Sequence, residues 1–261
     1  MNNLKFSIIT ISYNSEKYIE DTIESVLSQT YKNIEYIIID GKSTDDTLDI
    51  IDNYKDKFNN NIKVISEKDK GIYDAMNKGL EYANGDLISF LNSDDVFAHK
   101  HVIKNVIKIF KNNPNCDACY SNIAMVKRNN LNDIKRIWSS SNDNYFSKCK
   151  YGWVPAHPSF FAKKDLYDKF GYFDLQFEIA ADFDLICRFI EKYNINLYYI
   201  NEILIKMRVE GASNKGIKPI IKGNREAFLA LKKNNIFPYF IFLKPIRKII
   251  QLIKAKIYNI N

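Results

Sequence analysis

Along the first hundred residues, apolar runs of strand length alternate with segments whose apolar residues recur every three or four positions. "FSIITISYN" is a β-rich run ending on polar residues, and "SEKYIEDTIESVLSQTY" sets Ile19, Ile23, Val26 and Leu27 at helical spacing behind Ser15, a candidate N-cap. "IEYIIIDGKSTDDTLDIIDNYKDKF" repeats the unit, with an Ile-rich run, a turn containing Gly41, and a helix carrying Leu48, Ile51 and Tyr54 on one side. "IKVISEKDKG" and "IYDAMNKGLEYANG" form a third pair, with Gly85 the expected helix stop, and "DLISFLNSDD" is a fourth strand. The strands are continuously apolar rather than alternating, which predicts an α/β protein with a parallel sheet covered by helices on both faces. Ligands of such sheets bind at the carboxyl ends of the strands. That rule selects Ser12, Tyr13 and Asn14 and the stretches 40–44, 67–70 and 92–95, three of which contain acidic residues.

Beyond the helical "KHVIKNVIKIFKNNP" the pattern becomes mixed, and "CDACYSNIAMV" and "IKRIWSS" predict an antiparallel region. "WVPAHPSFFAKKDLYDKFGYFD" places His157 between two prolines ahead of a helix, and "AADFDLICRFIEKYN" is a helix opening on carboxylates that suit its dipole. No internal repeat or low-complexity linker interrupts residues 1–215, which read as one domain, with residues 216–261 a basic helical tail. In "LKPIRKIIQLIKAKIYNI", Ile246, Ile249, Ile250, Ile253 and Ile257 share one helical face, opposite Arg247, Lys248, Gln251 and Lys254. That is the pattern of an interfacial helix at an anionic membrane surface, helped by "IFPYFIFL" just before it; a terminal helix packed on protein is the alternative.

Charge supports the division. The 261-residue chain carries a net +7, yet from Lys218 onward ten basic residues accompany one acidic residue, so residues 1–217 stand at −2. The basicity belongs to the tail, which argues against a nucleic-acid groove in the body. No basic-then-apolar leader opens the sequence and no uncharged run reaches the ~20 residues of a membrane span, so the expected location is cytoplasmic, peripheral at the inner face of the cell membrane. Of the four cysteines only Cys116 and Cys119 are closely spaced, and without a second pair they read as buried thiols.

The chemistry concentrates at "FLNSDD". Asp94 and Asp95 repel each other, and a turn leading into the next helix is one explanation. A hard divalent cation is another: Mn2+ or Mg2+ prefers oxygen ligands, cancels the repulsion and borrows its remaining ligands from a substrate diphosphate. His99 and His101 follow closely and read as surface helix residues.

"SIITISYNSEKYIEDTIESVLSQTY", "IEYIIIDGKSTDDT", "SEKDKGIYDAMNKGLEYANGD", "ISFLNSDD", "PAHPSFFAKKDLYDKFGYFD" and "AADFDLICR", in that order, resemble the family 2 glycosyltransferases of bacterial capsule, O-antigen (lipopolysaccharide) and exopolysaccharide synthesis. The resemblance runs from residue 5 to about residue 210. It implies a GT-A (nucleotide-diphospho-sugar transferase) fold: a central, mostly parallel sheet with helices on both faces, ahead of the helical tail. Residues 1–97 would be the nucleotide-sugar half and 98–215 the acceptor half. The implied activity is inverting, metal-dependent transfer of a sugar from a UDP-sugar to a hydroxyl of a glycan or lipid-linked glycan. Ser12, Tyr13 and Asp40 would line the base and ribose pocket, with Asn77 and Lys78 near the donor. Asp94 would serve ribose or sugar, Asp95 the metal, and Asp182 would be the catalytic base, with Asp184 its rival. His157 and Arg188 would contact acceptor or phosphate, each with a structural role as the alternative. The sequence departs from the family pattern at Ala181, where glutamate is common, and at Gly41, where a second aspartate is common. A non-catalytic glycan- or membrane-binding relative would keep the fold and lose the base or metal residues. A sugar-nucleotide pyrophosphorylase or a Rossmann dehydrogenase would carry a Gly-rich phosphate loop, which "TISYNSEKY" lacks.

Overall fold

The computed structural model describes residues 3–139, 148–209 and 217–239. Strand and helix alternate first: β1 (Phe6–Ser12), α1 (Ile19–Leu27), β2 (Ile34–Asp40), α2 (Thr47–Asp52), β3 (Ile62–Ser66), α3 (Ile72–Tyr82), β4 (Leu87–Phe90). A short β5 (Val96–Phe97) and α4 (Val102–Asn112) follow, then β6 (Ala118–Lys127), β7 (Asn130–Trp138), β8 (Phe160–Lys163), α5 (Lys164–Phe170), α6 (Ala181–Cys187), β9 (Leu197–Val209) and α7 (Ile217–Lys233).

Among the described residues one nine-stranded sheet runs β3-β2-β1-β4-β8-β6-β9-β5, with β7 paired to β6. The β3-β2-β1-β4 half is parallel; β4 then meets β8 antiparallel, and beyond it only β6 and β9 pair in parallel. Side chains of a strand alternate between faces. Ile8, Tyr36 and Ile38 accordingly pack with Ile19, Ile23, Ile51 and Val106 of the helices on one side. Ile9, Ile37 and Ile39 pack with Ala75, Met76, Leu80 and Leu185 on the other. This two-sided burial is why the strands read as unbroken apolar runs.

Two local expectations change. Ser15 does not cap α1 through its side chain; its carbonyl accepts from Tyr18 N and Ile19 N at 3.0 Å each, while its hydroxyl lies 2.8 Å from the Ser93 hydroxyl. Gly85 lies past the end of α3 at a close approach, where a Cβ would come within 2.8 Å of Ser7 N. The helix α7 packs on the body through the fully buried Ala230 and Leu231. The amphipathic stretch around Ile246 to Ile257 lies outside the described residues. Among the described residues no helix is long and apolar enough to cross a membrane.

Candidate active site

The ends of the parallel strands carry polar residues in register: Ser12, Asp40 and Ser66 sit side by side across β1, β2 and β3. Asp40 is fully buried. Its carboxylate accepts from Ser12 Oγ at 3.2 Å, Ser66 Oγ at 2.7 Å, Ser43 N at 2.9 Å and the Ser43 hydroxyl. A buried carboxylate held by this many donors is a structural brace that shapes the turn after β2. Asn14 and Lys42, both with positive φ, complete that floor, with Asn14 Oδ1 accepting from Thr44 N at 2.9 Å.

Above the floor lies a cleft of about 990 Å³, bordered by Ser12, Tyr13, Gly41, Asp69, Asp94 and Arg128 among others. Tyr13 is 64% exposed, an open aromatic face of the kind on which a base can stack. Gly41 is there for space: a Cβ would lie 2.7 Å from Asp69 Oδ2 and 3.3 Å from the Tyr13 ring. Asp69, on the loop between β3 and α3, thus holds a carboxylate against the spot that residue 41 leaves empty. Asp69 falls within the stretch 67–70 that the strand-end rule selects, but no role is assigned to it from the sequence.

The two aspartates of "NSDD" face different ways. Asp94 borders the cleft. Asp95, the expected metal ligand, is 1% exposed; its Oδ2 accepts from Asn92 Nδ2 at 3.0 Å and its Oδ1 from Arg208 N at 3.2 Å. Burial, and next the charge of Asp94, push its pKa up to about 8. Arg208 also donates to Asp94 O at 2.7 Å and pairs with Asp21, so this buried guanidinium fixes the turn carrying both carboxylates. Arg208 lies near the end of β9, 113 residues from Asp95, and the β6–β9 and β5–β9 pairings bring the two together.

Oxygen donors are what a hard divalent ion takes, and one or two carboxylates suffice when a diphosphate supplies the rest. Asp94, flanked in the cleft by Asn92 and Ser93, fits that requirement. Among the described residues no group of three or more His, Cys, Asp or Glu side chains converges on one point.

Next to the cleft-lining Ile72, Tyr73 leads to the second half of the site. Its hydroxyl donates to Ile179 O at 2.8 Å and to Asp182 Oδ1 at 3.1 Å, and burial with the Asp182 charge raises its pKa, keeping it a donor. Phe183 N also donates to Asp182 Oδ1, at 2.8 Å. Among the described residues nothing donates to Oδ2. Asp184, two residues on, is buried, accepts from Asn234 Nδ2 at 2.8 Å and pairs with Arg188 at 3.3 Å. Two residues on a helix do not share a face, and of this pair it is Asp182 that meets Tyr73.

Three more expected site residues, Asn77, Lys78 and Arg188, are engaged by groups of the protein itself. Asn77 makes a two-way amide pair with the Phe173 backbone, 2.9 Å in each direction. That pair holds the Phe173 ring, stacked at 5.6 Å on Tyr73 and edge-on at 5.6 Å to His157. Lys78 is engaged by Glu67 at 2.8 Å, Asp74 at 3.6 Å and Lys68 O at 3.1 Å, which raises its pKa. Arg188 donates to the carbonyls of Phe170, Gly171 and Tyr172 at 2.5, 3.0 and 2.7 Å, and so caps the end of α5. Burial lowers the pKa of His157, and the charge of Asp182 acts the other way.

The family described as "Glycosyl transferase family 2" matches residues 7–171. The chain belongs to this family. This family 2 glycosyltransferase is 33% identical over 183 residues to an uncharacterized glycosyltransferase of Mycobacterium tuberculosis, covering 70% of this chain and 67% of the relative. It is 26% identical over 187 residues to a PGL/p-HBAD biosynthesis glycosyltransferase of Mycobacterium bovis, covering 70% and 68%. Among solved structures, residues 1–349 of S. aureus TarS in complex with UDP-GlcNAc superpose with a TM-score of 0.69 at 22% identity, over 87% of this chain and 66% of that one. A mannosyltransferase of Pyrobaculum calidifontis in complex with GDP-Man and Mn2+ gives 0.62 at 16% identity, over 92% and 70%. The glycosyltransferase fold is GT-A, and this chain spans 40% of the longer TarS chain. Asp182, α6 and α7 lie C-terminal to the matched segment.

Proposed function

We propose that this enzyme transfers a sugar, with inversion, from a nucleotide-sugar donor to a hydroxyl of a glycan or lipid-linked glycan in surface polysaccharide synthesis. A UDP-sugar is the first choice. The observation that carries this reading is Asp182: its Oδ1 is oriented by Tyr73, the chain neighbour of the cleft-lining Ile72, and by Phe183 N, which leaves Oδ2 for an acceptor hydroxyl. As the acceptor oxygen bonds to the anomeric carbon, Asp182 takes its proton, and the bond from that carbon to the diphosphate oxygen breaks. The nucleoside diphosphate leaves with the bonding electron pair.

Tyr13 and Ser12 would receive the base and ribose over the Asp40 brace, with residues 1–97 as the donor half and 98–215 as the acceptor half. Asp94 would hold Mn2+ or Mg2+, which when bound supplies Lewis-acid stabilisation of the departing diphosphate. Asp95 then acts from below by fixing the turn. The nucleotide sugars in the TarS and mannosyltransferase structures, and the Mn2+ in the latter, support the donor class and the ion.

The tail would bring the enzyme to the cytoplasmic face of an anionic membrane. Ile220 and Ile221, both more than half exposed beside Lys218 and Lys222 at the start of α7, support that placement. Flotation with anionic liposomes, with and without residues 240–261, tests it; equal flotation removes the tail's role. For the chemistry, a panel of UDP- and GDP-sugars is assayed for nucleotide release with and without Mn2+. Asp182→Asn should keep donor binding and lose turnover, and no binding of any nucleotide would end the proposal.

A further inference from the structure

Asp182 receives no polar support from its neighbour Ala181, and Ala180 offers α6 no side-chain cap. The two N–H groups leading into it, those of Ile179 and Ala180, both donate to a single oxygen, Glu226 Oε2, at 2.8 and 3.1 Å. Glu226 belongs to α7, is 7% exposed, and is the one acidic residue from Lys218 to the end of the sequence. Burying a carboxylate is costly unless charged hydrogen bonds compensate, and here two N–H donors at the entrance of a helix do so.

The same turn is gripped from the other side, where Tyr73 donates to Ile179 O at 2.8 Å and to Asp182 Oδ1 at 3.1 Å. The helix α7 is itself fastened to this segment: Lys222 pairs with Glu178, Lys233 with Asp174, and Asn234 donates to Asp184. Its apolar anchor, Leu231, packs with Cys187 at the far end of α6. Donors, ion pairs and apolar contacts therefore run along the whole stretch 174–187 and converge on the turn before Asp182.

We infer that Glu226 is a positioning residue: by holding the N–H groups of Ile179 and Ala180 it sets the direction in which Asp182 presents Oδ2 to the acceptor hydroxyl. This rests on reading Asp182 as the base. A carboxylate from the last described helix thus supplies, from outside the segment that defines the family, the support that Ala181 does not. Misplacing a reacting group by about 1 Å can cost a hundredfold in rate, so the brace matters for turnover and little for the donor.

The test uses the full chain and three substitutions. Glu226→Gln keeps an acceptor oxygen of the same reach; Glu226→Asp keeps the charge and withdraws it by one methylene; Asp182→Asn removes the base, alone and together with Glu226→Asp. Nucleotide release is followed with UDP-glucose, UDP-galactose, UDP-N-acetylglucosamine and GDP-mannose, UDP affinity by calorimetry, and amide exchange over residues 179–187 by mass spectrometry. Glu226→Asp should lower turnover about tenfold or more and speed exchange, while UDP affinity stays within about twofold and Glu226→Gln within about threefold of wild type. Added to Asp182→Asn it should cost less than about twofold, because both act through one group. Wild-type turnover and exchange in Glu226→Asp, beside an Asp182→Asn whose residual turnover is lower by about a hundredfold or more, would overturn this inference alone. So would a full additive loss in the double variant. Full turnover in Asp182→Asn would overturn the base reading and this inference with it.

Discussion

Asp94 and Asp95 are chain neighbours with opposite surroundings: Asp94 borders the cleft, and Asp95 is sealed beneath it, accepting from Asn92 and from the backbone of Arg208. The repulsion between them is met by that separation of roles and by Arg208, whose guanidinium binds the Asp94 carbonyl. Asp94→Ala should therefore weaken Mn2+-dependent UDP binding by about tenfold or more, since it removes a charge-assisted contact in the cleft. Asp95→Asn, which can keep one acceptor for Arg208 N, should leave that binding within about twofold. Titration calorimetry with and without Mn2+ decides; the reverse order of effects would return the metal to Asp95.

Gly41 and Asp69 share one space. A side chain at position 41 would meet Asp69 Oδ2 at 2.7 Å and the Tyr13 ring at 3.3 Å. Gly41→Asp should therefore weaken UDP binding by about tenfold or more, through the clash and through two carboxylates forced together. Combining it with Asp69→Gly should restore much of the affinity, because the carboxylate then returns to the cleft from the other strand end. Equal affinity in Gly41→Asp and wild type would show that the base does not reach this end.

The parallel half was legible because its code is local: continuous apolar runs, helical spacing, and polar residues just past each strand. The same rule found the cleft, for Ser12, Tyr13, Gly41, Asp69 and Asp94 all border it. What sequence order conceals is partnership. Asn77, Lys78 and Arg188 stand in motif positions, yet each is occupied by groups that the fold delivers, such as Phe173 for Asn77 across 96 residues. Arg208 and Glu226 carry no local signal beyond an unusual charge, the second being a lone acid in a basic segment. Their functions depend on β9 entering the sheet and α7 docking on α6.

The partly buried Arg188 pairs with the buried Asp184 at 3.3 Å, its guanidinium further bound to three carbonyls at the end of α5. Removing one member strands the other in the core, which typically costs 3–5 kcal/mol. Arg188→Met should destabilise the fold by about that amount in urea titrations while the UDP affinity of the folded fraction is unchanged. Arg188→Met with Asp184→Leu should recover part of the loss. A selective fall in UDP affinity without a stability change would place Arg188 in the site after all.

His157 packs against Phe90 at 5.4 Å and Phe173 at 5.6 Å, and burial lowers its pKa, with the charge of Asp182 acting the other way. In the unfolded chain the imidazole titrates near 6.5. Between that value and the lower folded one, the unfolded state holds a proton that the folded state lacks, so proton uptake favours unfolding. The neutral ring's contribution is then complete above about pH 6.5 and is lost as pH falls below it. Across that window this one group should make the unfolding free energy drop by at most about 1.4 kcal/mol per pH unit. His157→Phe keeps a ring between Phe90 and Phe173 and removes the titration, so its stability should fall less steeply from pH 7 to pH 5. Urea unfolding of both proteins at half-unit pH steps measures the difference, and parallel slopes would show that His157 takes up its proton without cost in the fold.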